Sequence, residues 1–368
     1  MKKIPMCEPQ LYGDEWALVK ECLDTNWISS QGKFVEIFEQ GFADFCGRKY
    51  AVAVTSGTAA LHLAMAVLDI GPGQEVILPS LSIISCANAV HLQGANIRVA
   101  DALPDTWNID PDDIRRKITP NTRAVIIVHT FGCPADMEEI EDICRRHNLF
   151  LIEDAAEAHG AVYNGRRVGS FGTISCFSFY ANKIVTTGEG GMLLTDDKHL
   201  ARRARRLKNL AFLPEKRYLH REVGFNYRMT NIQAAIGVAQ LNHIEESITR
   251  KRRNAALYSN KLKPIPGLRL QAEPRDAESV YWYYSLVIDD LFGVSRDEIL
   301  QQLSKRGVDA RNFFVPVHLQ PIYPELRNEH CPVSEFLGER GLSLPSGMKL
   351  TEEDITYIVN CIAEIQSG

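Results

Sequence analysis

Short β-branched runs alternate with longer helical patterns between Tyr50 and Leu194, and this alternation constrains the fold more than any other feature of the sequence. The predicted strands cover residues 51–54, 76–78, 97–100, 124–128, 150–152, 174–177 and 192–194. The clearest helices between them cover residues 58–68, 111–118 and 136–147. Strands separated by helices favour a parallel sheet with helices on both faces. The pattern therefore predicts an α/β domain with a mostly parallel, seven-stranded sheet.

The segments on either side of this region have other patterns. Two helices are predicted within residues 13–46, joined by the connector TNWISSQGKF, which is either a structural turn or an active-site loop. After the sheet come a basic helix (201–210), a polar loop (217–228), a long helix (231–261), a strand (281–288) and a helix (296–306). We therefore predict a large α/β domain over residues 1–250 and a smaller α+β domain over residues 251–368.

Composition excludes several classes of protein. The 368-residue chain carries a formal net charge of -5, whereas a general nucleic-acid binder normally carries a basic footprint. Its nine cysteines never form CxxC, so we expect reduced thiols without a metal site. The N-terminal residues lack the apolar stretch of a secretory signal, and no apolar run is long enough for a membrane span. These features predict a cytoplasmic protein that binds neither nucleic acid nor membrane.

Three polar residues stand out because they follow neighbouring predicted strands. Glu153 and Asp154 follow the strand at 150–152, and Lys183 follows the apolar run at 174–179. Ligands of open α/β sheets bind at the carboxyl ends of the strands. A buried carboxylate and an isolated lysine there suit pyridoxal phosphate, which needs an imine-forming lysine and an acidic partner for its ring nitrogen. The alternatives are an ordinary strand-end carboxylate and a surface lysine.

The segment TSGTAAL, which contains Gly57 and Thr58, follows the first predicted strand and opens a helix. Exposed N–H groups and the helix dipole favour an anion at such a position, so a phosphate monoester would fit. Taken alone, the segment is better explained by a capped helix start. A dinucleotide site is a remote alternative, since the only related glycine pattern, 71–75, lacks a third glycine and follows a helix.

Five motifs together resemble the DegT/DnrJ/EryC1/StrS family of sugar aminotransferases. In chain order they are TSGTAAL, IEDAAEAHG, GSFGTISCFSFYANKIVTTGEGG, GFNYRMTNIQAAIGVAQL and FFVPVHLQPIY. The resemblance implies a fold-type I aminotransferase that binds pyridoxal 5'-phosphate and works as a homodimer with shared active sites. Within the family, WISSQGKFVEIFE and EDAAEA look most like the GDP-perosamine synthase branch.

The resemblance also implies roles for individual residues. Lys183 resembles the Schiff-base lysine and Asp154 the partner of the ring nitrogen. The remaining cofactor contacts implied by the resemblance are Gly57, Thr58 and Ser178 at the phosphate, Glu157 beside the 3-hydroxyl, Ile83 over the ring and Asn226 from the other subunit. Ile83 departs from the family, which commonly places an aromatic residue there, so it forfeits a stacking preference of about 0.5–1.5 kcal/mol.

Substrate contacts are implied by the same resemblance. They are Trp27, Ser29, His220, His318 and Tyr323. Each also has a structural explanation: Trp27 as a core anchor, Tyr323 as a packing residue and His318 as a satisfied surface imidazole, for example. The implied reaction takes an amino group from glutamate and gives it to C4 of a nucleotide-linked 4-keto-6-deoxyhexose. GDP-4-keto-6-deoxymannose, converted to GDP-perosamine for O-antigen, is the expected acceptor. The lysine at 183 favours amino transfer over dehydration, since a related dehydratase branch has histidine there.

Three alternatives remain open at the level of the sequence. In the first, the chain is an aminotransferase whose acceptor is a dTDP- or UDP-linked keto sugar or a keto-cyclitol. In the second, the chain is a catalytically silent, cofactor-binding regulatory protein, because a fold alone does not establish activity. A scaffolding role is the third, and it explains none of the polar residues at the strand ends.

Overall fold

The computed structural model describes residues 3–213 and 215–367. The strands are β1 (Tyr50–Val54), β2 (Glu75–Pro79), β3 (Asn96–Ala100), β4 (Thr122–Val128), β5 (Phe150–Asp154), β6 (Val162–Tyr163), β7 (Arg166–Arg167), β8 (Ile174–Ser178), β9 (Gly191–Thr195), β10 (Leu268–Leu270), β11 (Ala277–Glu278), β12 (Tyr284–Ile288), β13 (Arg311–Asn312) and β14 (Gly341–Leu344). The helices are α1 (Asp14–Asp24), α2 (Lys33–Cys46), α3 (Gly57–Val67), α4 (Ser85–Leu92), α5 (Pro111–Lys117), α6 (Met137–Arg146), α7 (Lys198–Leu207), α8 (Asn231–Asn242), α9 (Ile244–Leu262), α10 (Arg296–Lys305), α11 (Pro332–Arg340) and α12 (Glu352–Ser367).

Seven strands form the central sheet in the order β1-β9-β8-β5-β4-β2-β3. Strands β3, β2, β4, β5 and β8 are parallel to one another, and β9 runs antiparallel to both β1 and β8. The prediction of a mostly parallel, seven-stranded sheet is confirmed. Since β4, β5 and β8 are parallel neighbours, their last residues, Val128, Asp154 and Ser178, lie along one edge of the sheet.

Alternate residues of the strands fill separate hydrophobic clusters, as the two-residue period of a strand requires. Ala124 and Ile126 of β4 pack with residues of α3 and α4, whereas Val125 and Ile127 pack with residues of α6. Further along the sheet, Phe177 belongs to a cluster that includes residues of α2 and α8. Helices therefore cover both faces, which explains why the strands read as nearly continuous apolar runs.

A second sheet, β10-β12-β14-β13, is antiparallel and packs against α9, α10 and α12. The N-terminal segment joins this unit: Ile4 N donates to Gly307 O at 2.8 Å, and Asp309 N donates to Ile4 O at 2.9 Å. Helix α9 begins in the hydrophobic cluster that contains Phe177 and residues of α2 and α8, and it ends in the cluster of the second sheet. The division into domains near residue 250 stays a prediction. It assigns Ile4 to the large domain, although Ile4 packs in the hydrophobic cluster of the smaller unit.

The long helix predicted over residues 231–261 is wrong in one respect, because it is broken at His243. The His243 ring stacks on Tyr12 with centroids 4.1 Å apart, and its Nε2 lies 3.0 Å from Asp14 Oδ2. Both partners come from the start of the chain, so a tertiary contact fixes the break.

Within residues 3–213 and 215–367, no helix is long and apolar enough to cross a membrane.

Candidate active site

A cavity of about 380 Å³ opens at the carboxyl ends of β4, β5 and β8. It gathers seven of the residues that the sequence predicted as cofactor contacts: Gly57, Thr58, Ile83, Asp154, Glu157, Ser178 and Lys183. A larger surface groove of about 960 Å³ lies beside α6, but it contains none of these seven residues. The smaller cavity is therefore the candidate active site.

One end of the cavity is formed by the N-terminus of α3. Ser56 caps this helix, accepting a hydrogen bond from Ala59 N at 3.1 Å. Gly57 lies so close to the end of β8 that a Cβ there would be 2.8 Å from Ser178 Cβ. The first turn of the helix and the Ser178 hydroxyl thus face the same end of the cavity, with the unpaired N–H groups and positive dipole that bind phosphate.

Asp154 presents a buried carboxylate to the cavity. Its Oδ2 accepts a hydrogen bond from Cys86 Sγ at 3.1 Å, and its Oδ1 accepts one from Ala156 N at 3.1 Å. Burial raises the pKa of Asp154, and the hydrogen bond from the Cys86 thiol opposes that rise. A cationic partner within the cavity would restore the preference for the ionised form.

The neighbouring acid, Glu153, points to the other face of β5 and has a structural environment. Its carboxylate accepts hydrogen bonds from the backbone N–H groups of Gly169 (2.8 Å), Phe171 (2.8 Å) and Gly172 (2.6 Å). Burial raises its pKa, but His129, the charge of Arg48 and the hydrogen bond from Gly172 N together outweigh that and bring the pKa to about 2. Glu153 therefore holds the loop between β7 and β8 and takes no part in the cavity.

Glu157 and Lys183 influence each other within the cavity. Glu157 Oε2 accepts a hydrogen bond from Phe131 N at 2.8 Å, and burial raises the pKa of this carboxyl to about 7. Burial also lowers the pKa of Lys183, while the carboxylates of Glu157 and Asp154 oppose that change. An amine with a lowered pKa has a larger neutral fraction, which is the form that attacks an aldehyde.

These residues fit pyridoxal phosphate. The cavity combines an anion-binding helix start, a buried carboxylate lacking a cationic partner within hydrogen-bonding distance among the described residues, and a lysine whose amine faces the same space. The cofactor carries a phosphate, a basic ring nitrogen and an aldehyde, so each of its polar groups has a counterpart.

Comparison with known proteins agrees with this chemistry. The sequence profile of the DegT/DnrJ/EryC1/StrS aminotransferase family matches residues 9–363. This chain belongs to that family. It is 43% identical over 368 residues to the GDP-perosamine synthase of Caulobacter vibrioides, with 99% of each chain covered. It is 42% identical over 367 residues to that of Escherichia coli O157:H7, with 100% of each chain covered.

Among solved structures, the aminotransferase is similar to DesI, determined in the presence of its TDP-sugar product. The TM-score is 0.92 at 33% identity, covering 100% of this chain and 94% of that chain. This likeness confirms the predicted fold class, and membership of the family confirms the dependence on pyridoxal phosphate. The protein is a pyridoxal-phosphate-dependent sugar aminotransferase.

The other predicted site residues of this aminotransferase lie outside the cavity of their own chain. Trp27, Ser29, His220 and Asn226 are exposed. His318 and Tyr323 are buried, and hydrogen bonds already link His318 Nδ1 to Ser80 Oγ at 2.6 Å and Tyr323 OH to Asn88 Oδ1 at 2.6 Å. Roles in binding for these six residues stay predictions.

Several residues of the cavity were not anticipated from the sequence. Trp282, Tyr283 and Arg311 line it from the C-terminal part of the chain, and the Cys86 thiol contacts Asp154. The aromatic run VYWYYSLV was interpreted only as a strand, although its density of aromatic residues was a usable signal. Nothing in the sequence around Cys86 distinguishes it from the other buried thiols.

The close approach at Gly57 gives a first prediction. In Gly57→Ala, the new Cβ meets Ser178, so the helix start or the strand end must shift. We expect the dissociation constant for pyridoxal phosphate to rise about 5- to 100-fold, from the usual cost of overpacking. A fluorescence titration of cofactor-free protein measures this. Gly71→Ala is the control, because its Cβ would lie 3.5 Å from Gln93 O in ordinary contact. Unchanged affinity in Gly57→Ala would contradict the assignment.

Glu157 gives a second prediction, on the pH dependence of stability. The folded protein holds a proton on Glu157 up to about pH 7, whereas the usual pKa is 4.5. Between these values the native state binds more protons, so the free energy of unfolding falls as pH rises, by on the order of 3 kcal/mol. Cofactor-free Glu157→Gln should therefore unfold at a higher temperature than wild type at pH 8.

Calorimetry at pH 4.5 and pH 8 tests this prediction. The advantage of Glu157→Gln should disappear at pH 4.5, where the wild-type carboxyl is protonated in the folded state. The control is Glu364→Gln on the exposed side of α12, which should show no such pH-dependent gain. Equal stabilities of Glu157→Gln and wild type at pH 8 would contradict the prediction, because they would show that ionising the buried carboxyl does not destabilise the folded protein.

Proposed function

We propose that this aminotransferase transfers an amino group from glutamate to C4 of GDP-4-keto-6-deoxymannose, giving GDP-perosamine and 2-oxoglutarate. The observation that carries the proposal is full-length identity of 43% and 42% to two GDP-perosamine synthases. The cavity supports it with an amine, a carboxylate and a phosphate-binding helix start in one place. The roles of individual residues below are part of the proposal.

The phosphate of the cofactor is bound by Gly57, Thr58 and Ser178. The helix N-terminus supplies backbone donors and a favourable dipole, and the serine supplies a hydroxyl. Because Gly57 has no Cβ, the helix start and the strand end close around the anion together. This anchor fixes where the ring lies relative to the polar groups deeper in the cavity.

Asp154 binds the ring nitrogen and keeps it protonated, and Glu157 lies beside the 3-hydroxyl. Ile83, which is 38% exposed at the cavity wall, contributes apolar surface above the ring. When bound, pyridoxal phosphate supplies a ring that takes up the electron pair left on the substrate carbon after proton removal. The carboxylate of Asp154 stabilises the protonated nitrogen that makes this possible.

Lys183 supplies the amine that binds the cofactor aldehyde, and once released it moves protons. It takes the proton from the substrate carbon as a general base and returns it to the cofactor carbon as a general acid. Burial lowers its pKa, which increases the neutral fraction that can act as the base. Trp27, Ser29, His220, His318 and Tyr323 are proposed to bind the sugar or the diphosphate.

The proposal includes a homodimer in which Asn226 binds the phosphate in the partner's site. Asn226 is exposed and lies outside the cavity of its own chain, which fits this role. Mixing Lys183→Ala with Asn226→Ala subunits tests it. A mixed dimer has one intact site, so random exchange restores about a quarter of the wild-type activity. If mixed dimers form but remain inactive, the sites are not shared.

The substrate is tested with purified enzyme, glutamate and a panel of GDP-, dTDP- and UDP-linked keto sugars and a keto-cyclitol. We expect the highest kcat/KM with GDP-4-keto-6-deoxymannose. Activity with a dTDP-linked sugar and with no GDP-linked sugar would overturn the assignment of the nucleotide. The dTDP-linked sugars are included because DesI, a similar structure, was determined with a TDP-sugar product.

Catalytic competence is tested separately. Protein incubated with the cofactor should show a visible absorption band that glutamate removes. A band that glutamate leaves unchanged would instead indicate a silent, cofactor-binding regulatory protein.

We place the enzyme in the cytoplasm, as its nine free cysteines suggest.

A further inference from the structure

The amine of Lys183 lies on the face of an aromatic ring. Its Nζ is 3.5 Å from the centroid of the Trp282 ring. Among the described residues, no hydrogen bond or ion pair with Lys183 Nζ accompanies this contact. A cation over the face of tryptophan is attracted by the ring quadrupole, most strongly where water is excluded. Trp282 is only 5% exposed, so this condition is met.

Trp282 is fixed in place by several contacts, and one of them involves the residue next to the lysine. Its Nε1 donates to Asn182 O at 2.9 Å, and its ring stacks on Tyr283 with centroids 3.9 Å apart. Asn182 Nδ2 in turn donates to Tyr283 OH at 2.8 Å, and Lys251 Nζ donates to Trp282 O at 2.8 Å. These contacts therefore fix the position of the Trp282 ring relative to the segment that carries Lys183.

An enzyme of this kind must hold its lysine somewhere while the lysine is not bound to the cofactor. We propose that the face of Trp282 is the resting place of the released Lys183 amine and holds it as ammonium. The amine accepts the proton from the substrate carbon, rests on the ring as a cation, and becomes neutral when it returns the proton to the cofactor carbon. Trp282 is thus a positioning residue, and this inference rests on the proposed role of Lys183.

Other charged groups also act on this amine. The carboxylates of Glu157 and Asp154 favour the ammonium form, as does Cys7, whereas Lys251 disfavours it. These groups remain when Trp282 is replaced, so their effects are common to wild type and variants. Replacing the ring therefore changes two contributions, its attraction for the cation and its exclusion of water, and their losses shift the midpoint in opposite directions.

The test uses cofactor-free protein. Competitive labelling with acetic anhydride over a pH series, followed by peptide mass spectrometry, gives the titration midpoint of Lys183. In Trp282→Leu, which lacks the ring face, we expect the midpoint to fall by about 0.4–1.5 pH units. Trp282→Phe keeps a weaker face and should fall by less. The labelling of Lys305, exposed at the end of α10, is an internal reference that should not change.

The direction of the shift separates this role from simple packing. If Trp282 only fills space, leucine admits water, and the midpoint rises towards that of an exposed lysine. A rise or an unchanged midpoint in Trp282→Leu overturns the proposal. No nucleotide sugar is needed, so a wrong substrate assignment leaves this result unaffected.

A second measurement covers the case in which Trp282→Leu fails to fold. Tryptophan emission of the wild-type, cofactor-free protein is titrated beside that of Lys183→Ala. We expect a change in wild type at the labelling midpoint of Lys183 that is absent from Lys183→Ala. Identical titrations of the two proteins would overturn the proposal.

Discussion

Lys183→Ala is expected to lower the transamination rate by about 10⁴-fold or more, because one side chain supplies both the covalent link and the proton transfer. The visible absorption of the bound cofactor should shift as well, since alanine has no amine to react with the aldehyde. Single-turnover kinetics with glutamate and absorption spectra of the reconstituted protein measure both effects. Folding should be preserved, because no hydrogen bond or ion pair of Lys183 Nζ accompanies the Trp282 contact in the described part of the chain.

Lys305→Ala is the matched control for this variant. Lys305 is exposed in the small antiparallel unit and lies outside the cavity, so its removal should leave rate and spectrum unchanged. Loss of activity in both variants would indicate damage unrelated to the site. Wild-type spectra and turnover in Lys183→Ala would mean that another amine binds the cofactor.

Asp154→Asn is the second change with a large expected effect. Asparagine has nearly the same shape but cannot carry the negative charge that keeps the ring nitrogen protonated. By analogy with the loss of one electrostatic stabiliser, we expect kcat to fall about 10²- to 10³-fold or more. The thermal unfolding of the cofactor-free protein should change little, since burial raises the pKa of Asp154 and so disfavours its charge.

The adjacent acid provides a sharp comparison, because Glu153→Gln should have the opposite effect. The variant loses a charge that accepts hydrogen bonds from three backbone N–H groups, and its amide nitrogen cannot accept them. Breaking such a buried charged network typically costs about 3–5 kcal/mol. The pKa of Glu153 is about 2 in the folded protein, below its usual value of 4.5. This stabilisation is therefore complete above pH 4.5 and is lost as the pH falls towards 2.

Unfolding curves and kcat, measured for both variants, test the comparison. Asp154→Asn should remain stable but inactive, and Glu153→Gln should be unstable but catalytic while folded. The reverse outcome would exchange the roles of the two acids.

These two residues also show how far the sequence alone could predict the site. Strand alternation implies that Glu153 and Asp154 point to opposite faces, but it does not say which face holds the cavity. Only the positions of the β7–β8 loop and α4 decide that, and both are tertiary features. The sheet itself was predictable because each of its strands is a short, nearly continuous apolar run bounded by polar residues.

Interactions between distant parts of the chain were not predictable. The break at His243 depends on Tyr12 and Asp14, and the ring beside Lys183 comes from Trp282. Such contacts leave no periodic pattern in the sequence, since a packed interior needs complementary shapes and not a fixed spacing.

The N-terminal residues that join the small antiparallel unit have a consequence for biosynthesis. Ile4 pairs with Gly307 and Asp309, and Met6 O accepts a hydrogen bond from Ser346 N at 2.7 Å. On the ribosome, Ile4 must wait for Gly307 and Asp309, which are made roughly 15–60 s later at about 5–20 residues per second. During that interval the segment around Ile4 lacks these partners and is exposed to chaperones and proteases.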